Sequence, residues 1–227
     1  MNEVGFYSLL HKVSKYSKHQ ELVLASSSRY RRALLDMLLL PFRVVPPDID
    51  ESPKQDEDAA TLVERLASEK AQFVGQHEAS ALIIGSDQVA VYAGKIVGKP
   101  IDREDAISQL ELISEGKAEL LTSVAVLNTL TGHIQAKTLS TLIQFKTLSR
   151  SGIEFYLDTD KPYDCCGSVR VEGLGITLLK SIRSEDPTAV MGLPMIALVS
   201  MLEKEGIDPL MIRSPLGCVN LNARTEL

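Results

Sequence analysis

The sequence predicts an α/β fold built on a mixed sheet, and three features lead to it. Strand-like apolar runs alternate with segments of helical periodicity along most of the 227 residues. The run Ala81–Ile84 is short and wholly apolar, as a buried strand requires, whereas Asp58–Gln76 repeats its apolar residues at helical spacing. Serine or aspartate stands ahead of several helical segments, where it can cap free amide groups.

Taken in order, Glu21 to Ala25 (ELVLA) is a strand, and Ser26, Ser27 and Ser28 offer caps for a helix running to about Leu40 and stopped by Pro41. Phe42 to Val45 is a short strand before a double proline and an acidic loop carrying Asp48, Asp50 and Glu51. A long helix spans Asp58 to Gln76. Ala81 to Ser86 is a buried strand, and Val89 to Val97 reads as a separate hairpin turning at Ala93-Gly94. Asp102 to Ser114 is helical, Leu120–Leu127 and His133–Thr147 pair around Thr131-Gly132, and Ser149 to Asp158 is helical again. A polar, glycine-bearing region leads to a strand over Gly175–Ile182, and Thr188 to Lys204 reads as one amphipathic helix. Residues 1–20 read as a disordered extension and residues 211–227 as a tail, leaving residues 21–210 as the folded domain.

Composition narrows the function classes. Hydrophobic residues at 44% and charged residues at 24% suit a globular chain with a sizeable core. The densest apolar stretch, Ala33–Phe42, is broken by Asp36 and Pro41 and falls well short of the roughly 18 residues a membrane span needs. No membrane partner is expected. The three cysteines, Cys165, Cys166 and Cys218, are odd in number and two are adjacent, which fits a reducing cytoplasm better than a disulfide framework. The four histidines are scattered, so no histidine metal site is visible. A net charge of −6 argues against a long nucleic-acid partner, but a small polyanion can bind wherever cations gather locally.

Three features bear on this, two of them cationic and the third acidic. Ser26-Ser27-Ser28-Arg29-Tyr30-Arg31-Arg32 lies at a strand-to-helix junction, where free N–H groups and the helix dipole attract phosphate. Its arginines add bidentate donors and oppose the dipole; a solvated basic face is the plainer reading. On the helix from Asp58, Lys70 falls within the apolar arc of Leu62, Val63, Leu66, Ala67, Phe73 and Val74. It either snorkels past the core or presents its charge to a ligand in a cleft. Gly85-Ser86-Asp87-Gln88 follows the buried strand, where active-site carboxylates are often found, although a turn or cap is equally compatible. Lys99 sits in the turn Gly98-Lys99-Pro100, and the Asp48–Glu51 carboxylates suit a hard cation such as Mg²⁺ or Mn²⁺. Acids beside several cations are what phosphoryl chemistry requires.

At this point the chain resembles the Maf family of nucleotide pyrophosphatases. The matching stretches are LVLASSSRYRRALL, DIDES, LASEKA, IIGSDQV, GKP, CCGSVRVEGLGITLL and DPTAVMGLP, spread over nearly all of residues 21–210. GSDQV with EGLGITL is most similar to the 7-methyl-GTP pyrophosphatase branch; the branch acting on dTTP and UTP has glutamine where this chain has Glu172. The resemblance implies an elongated, ITPase-like α/β fold with a mixed sheet and a central cleft between two lobes. It also implies a homodimer and a divalent metal. It makes Asp87 the general base or water-positioning group, with Lys70 and Lys99 as catalytic cations, and Glu51 and Asp87 the metal-associated acids. Ser26, Arg31 and Arg32 match residues that hold the triphosphate, and Tyr30, Gln88 and Glu172 match positions tied to base selectivity. Arg29 and Tyr30 depart from the family's first motif, SPRR or SPWRR, and leave a smaller stacking surface than tryptophan.

The implied reaction is hydrolysis of the α–β phosphate bond, yielding a nucleoside monophosphate and pyrophosphate. N7-methylation makes guanine cationic, which suits an aromatic face at Tyr30 and a carboxylate at Glu172; Glu172 beside Gly173 also reads simply as a turn acid. Two rival readings are the same chemistry on dTTP or UTP, and a nucleotide-binding regulator of division or septum formation without useful turnover.

Overall fold

The structure is a computed structural model that describes residues 20–211. The N-terminal extension, apart from Gln20, and the tail, apart from Met211, lie outside the described residues. Seven strands form one mixed sheet: β1 (Glu21–Ala25), β2 (Phe42–Val44), β3 (Ala81–Tyr92), β4 (Lys95–Val97), β5 (Lys117–Asn128), β6 (Ile134–Phe145) and β7 (Leu179–Ser184). Five α-helices accompany them among the described residues: α1 (Arg29–Asp36), α2 (Ala59–Gly75), α3 (Arg103–Ile113), α4 (Arg150–Asp160) and α5 (Met195–Lys204).

The sheet runs β2-β1-β3-β5-β6-β7, with β4 also paired to β3. β1 pairs in parallel with β3 from Ala81 to Gly85, and β4 pairs antiparallel with β3 from Ala90 to Tyr92. Because β5 occupies the other edge of β3 from Leu82 to Tyr92, β1 and β4 share one edge. Between them, Ser86 to Val89 have no strand neighbour on that side. This interruption opens the cleft.

Apolar residues build a core at either end of the long strands. One joins Leu22 and Leu24 of β1, Leu34 and Leu35 of α1, Leu82 and Ile84 of β3, and Leu198 of α5. The other joins Ala90 of β3, Ile107 and Leu110 of α3, Ile153 and Leu157 of α4, and Phe145 of β6. Each fully buried aliphatic side chain contributes about 1.5–3 kcal/mol, so each end carries its own stabilising core. The mixed sheet, the two cores and the cleft between them match the fold expected from the sequence.

Strand alternation then assigns the faces. Val23, Ala25 and Ile83 pack with Ala71 and Val74 of α2, whereas Leu22, Leu24, Leu82 and Ile84 pack with α1 and α5. Carried along β3, the same period puts Asp87 on the α2 face and Ser86 and Gln88 on the opposite one. Gly85 lets α2 come close: a Cβ there would lie 2.0 Å from the Ala67 carbonyl oxygen and 2.9 Å from Ala71 N.

Several expected boundaries change. Ala81–Ser86 and Val89–Val97 are not separate elements, because β3 continues to Tyr92 in unbroken register with β5. Asp87 is therefore a mid-strand residue, not one beyond a strand end. The segment expected as strand from Gly175 is first a 3-10 turn, Leu174–Leu178, and the strand begins at Leu179. The helix expected from Thr188 is broken: Ala189–Met191 form a 3-10 turn, Gly192 takes a left-handed backbone (φ 93°), and α5 starts only after Pro194. The first helix closes at Asp36 instead of near Leu40, and Leu39 adopts a left-handed backbone (φ 56°).

Candidate active site

The interrupted edge of β3 opens into a cleft of about 820 Å³, lined among others by Ser26, Tyr30, Arg31, Glu51, Lys70, Asp87, Gln88, Lys99 and Glu172.

 Of the ten side chains to which the resemblance gives a role, nine line the cleft and Arg32 does not.

The centre is an ion-paired trio. Lys70, placed by the apolar arc of α2, is 5% exposed and points at β3, where its Nζ lies 2.6 Å from Asp87 Oδ1. Glu51 reaches the same ammonium from the acidic loop, with Oε1 at 2.9 Å. Lys70 thus neither snorkels nor stands alone. It is a buried cation compensated by two carboxylates, as burial of a charge demands.

The serine-rich junction supplies a second layer. Ser28 is the N-cap of α1, its Oγ accepting from Arg31 N at 3.4 Å. Ser26 is buried and accepts from Ser28 N (3.1 Å) and from Arg31 Nη1 (3.3 Å). Arg31 Nε donates to the Gly192 carbonyl at 2.8 Å, so its guanidinium is fixed from two sides. Burial pushes that guanidinium down from its ordinary value, and the charge of Asp87 acts in the opposite direction.

Arg32 lies apart from the other residues expected to hold phosphate. It is exposed and lines a separate depression with Asp36, Leu40, Pro41, Phe42 and Val44. The step of about 100° from Arg31 to Arg32 turns the second side chain away from the cleft.

Lys99 is exposed on the cleft rim in the turn after β4. Gln88, one residue beyond Asp87, turns to the other face of the sheet. Its Nε2 reaches Thr122 Oγ1 (2.8 Å) and the carbonyls of Ala189 (2.9 Å) and Val190 (3.3 Å). Its amide nitrogen is thereby committed to the wall. Tyr30 and Glu172 stand at the mouth: burial pushes the Tyr30 phenol up to about 12 and raises the Glu172 carboxyl above its ordinary value. Asp164 adds to the Glu172 shift, while Arg170 and Arg29 oppose it.

Sequence reasoning missed the residues that hold this wall. The buried Ser86 hydroxyl shares its proton between the carbonyls of Ser123 (2.7 Å) and Gly192 (2.8 Å). Asp186, 1% exposed, accepts from Thr188 N (3.1 Å), Thr188 Oγ1 (2.7 Å), Ile196 N (2.7 Å) and Ala197 N (3.3 Å). It ties the 189–192 segment to the start of α5. The Gly-Leu-Pro break was the available signal, since glycine and proline punctuate helices. Cys165 and Cys166 also line the cleft, and burial raises both thiols, Cys165 to about 12.

Among the described residues, no three histidine, cysteine, aspartate or glutamate side chains cluster closely enough to hold a metal unaided. Glu51 and Asp87 nevertheless share one cation, the Lys70 ammonium. Two hard carboxylates fit Mg²⁺, which takes one or two protein carboxylates and fills its remaining positions with phosphate oxygens and water.

Comparisons with known proteins identify the family. Residues 21–205 match the family described as Maf-like protein. A protein of Pseudomonas fluorescens (strain Pf-5) named 7-methyl-GTP pyrophosphatase is 48% identical over 187 residues, covering 82% of this chain and 97% of that protein. A protein of Bordetella avium with the same name is 46% identical over 198 residues, covering 87% and 98%. One of Aromatoleum aromaticum, again so named, is 45% identical over 190 residues, covering 84% and 98%. No helix of the described residues is long and apolar enough to cross a membrane. The matched span contains both cores and the whole cleft, and the chain belongs to the Maf-like protein family.

Proposed function

We propose that this chain hydrolyses the α–β phosphate bond of 7-methyl-GTP, releasing 7-methyl-GMP and pyrophosphate. The observation that carries the reading is the buried Lys70 held between Asp87 and Glu51, in a cleft also lined by Arg31 and Lys99. The names of relatives covering more than four-fifths of the chain support the substrate.

In this reading the phosphates lie between the start of α1 and the rim at Lys99. Arg31, aimed by Gly192 and Ser26, offers Nη2 to a phosphate oxygen. Lys99 neutralises charge on the departing pyrophosphate. Lys70 holds Asp87 in place through Oδ1, leaving Oδ2 to orient a water and take its proton as that water attacks the α-phosphorus. The new P–O bond forms to water, and the bond from the α-phosphorus to the bridging oxygen breaks. Glu51 and Asp87 would hold a divalent ion, which supplies charge neutralisation at the phosphates. Glu172 at the mouth balances a cationic base, which favours 7-methyl-GTP over dTTP or UTP. A reducing cytoplasm suits the two free thiols, Cys165 and Cys166, at the cleft. The homodimer implied by the resemblance remains part of this reading.

The test is pyrophosphate release from 7-methyl-GTP, GTP, dTTP and UTP, with and without Mg²⁺, using water labelled with ¹⁸O. Label in the nucleoside monophosphate and preference for 7-methyl-GTP are expected. Preference for UTP or dTTP would assign the sister substrates, and binding without turnover would favour the regulator.

A further inference from the structure

Arg29 and Asp164 meet across the cleft mouth, outside the phosphate machinery. Arg29 Cζ lies 4.8 Å from the centroid of the Tyr30 ring, and its Nη2 lies 2.7 Å from Tyr30 Oη. The same Nη2 is 3.3 Å from Asp164 Oδ2, and Tyr30 Oη donates to Asp164 Oδ1 at 3.2 Å. Arg29, Tyr30 and Asp164 all line the cleft. An aromatic face and a carboxylate therefore hold a planar, delocalised cation supplied by the chain itself.

We propose that Tyr30 and Asp164 form a subsite for a positively charged base, which Arg29 fills until the base displaces it. The proposal rests on the 7-methyl-GTP reading and adds Asp164 as a specificity-determining residue. A guanidinium and an N7-methylated guanine share flatness, positive charge and N–H donors, so the same ring and carboxylate serve both. A neutral guanine presents no charge for Asp164 to balance. The Arg29 and Asp164 side chains are 65% and 48% exposed, and ion pairs so open to water are weak, which makes Arg29 displaceable. Glu172 lies near enough to feel both Asp164 and Arg29, and so adds negative charge beside the same subsite.

The experiment compares kcat and KM for 7-methyl-GTP and GTP in the wild type and in the Asp164→Asn, Asp164→Glu and Arg29→Met variants. Asp164→Asn is expected to lower the preference for 7-methyl-GTP by about tenfold, chiefly through KM, with GTP changed less than about twofold. Asp164→Glu, which keeps the charge, should restore most of the preference. Arg29→Met removes the internal competitor and should lower KM for 7-methyl-GTP by about threefold. An unchanged preference in Asp164→Asn, or a KM in Arg29→Met that rises for both substrates alike, would overturn the proposal. A wild type that ignores 7-methyl-GTP would remove the substrate reading and this subsite with it. A wild type that prefers 7-methyl-GTP, with that preference unaltered in Asp164→Asn, would remove the subsite alone.

Discussion

Lys70 Nζ lies 2.6 Å from Asp87 Oδ1, with both side chains under a tenth exposed, and Glu51 closes on the same ammonium at 2.9 Å. Removing the cation leaves Asp87 buried without its partner. Lys70→Met is expected to destabilise the fold by about 3 kcal/mol and to lower kcat at least about a hundredfold. Urea unfolding and pyrophosphate release measure the two effects. Added Mg²⁺ should raise the melting temperature of this variant more than that of the wild type, because the two carboxylates then lack their own cation.

Gly85 sets the distance between α2 and β3. A Cβ would lie 2.0 Å from the Ala67 carbonyl oxygen, a backbone atom that cannot rotate away. Gly85→Ala should push α2 outward, carrying Lys70 from Asp87, and destabilise the protein by about 2–3 kcal/mol. Thermal unfolding and activity should fall together.

Glu172 carries a raised carboxyl, chiefly through burial, so it takes up a proton at a higher pH than an ordinary glutamate at 4.5. If its charged form balances the base, the preference for 7-methyl-GTP over GTP should fade on acidification while the pH is still above 4.5. Arg170 and Arg29 pull the carboxyl down and Asp164 pushes it up, so these neighbours belong in the same titration. Glu172→Gln should start with a lower preference and show a flatter pH profile. The ratio of kcat/KM values measured from neutral pH downward decides this.

Asp186 touches none of the residues proposed to contact the nucleotide, yet it fastens the segment whose Gly192 carbonyl aims Arg31. Asp186→Ala should cost about 1–2 kcal/mol as a lost helix cap. It should also raise KM several-fold as the Gly192 carbonyl loosens its hold on Arg31. An unchanged KM, with only the stability lowered, would confine Asp186 to a capping role.

Much of this site was legible because it follows from two periods. The helical period placed Lys70 among apolar residues, and its burial against β3 is the consequence. The acidic Asp87 could be singled out beside a buried strand, but its place inside β3 depends on pairing with β5, a partner more than thirty residues away. Arg32 is expected beside Arg31 because neighbouring arginines look alike in a sequence, whereas about 100° of helix rotation separates their directions. Ser86, Gly192 and Asp186 were not legible as a group. Their hydrogen bonds span 106 residues between Ser86 and Gly192 and 10 between Asp186 and Ile196, and no local pattern records such distances.

The most direct measurement is pyrophosphate release from 7-methyl-GTP by the Asp87→Asn protein. Glu51 still compensates Lys70 in that variant, so a folded protein with a near-wild-type melting temperature is expected. Turnover should fall by about a thousandfold or more, since the group that orients and deprotonates water is gone. Release at close to the wild-type rate would contradict the role given to Asp87 and the mechanism built on it.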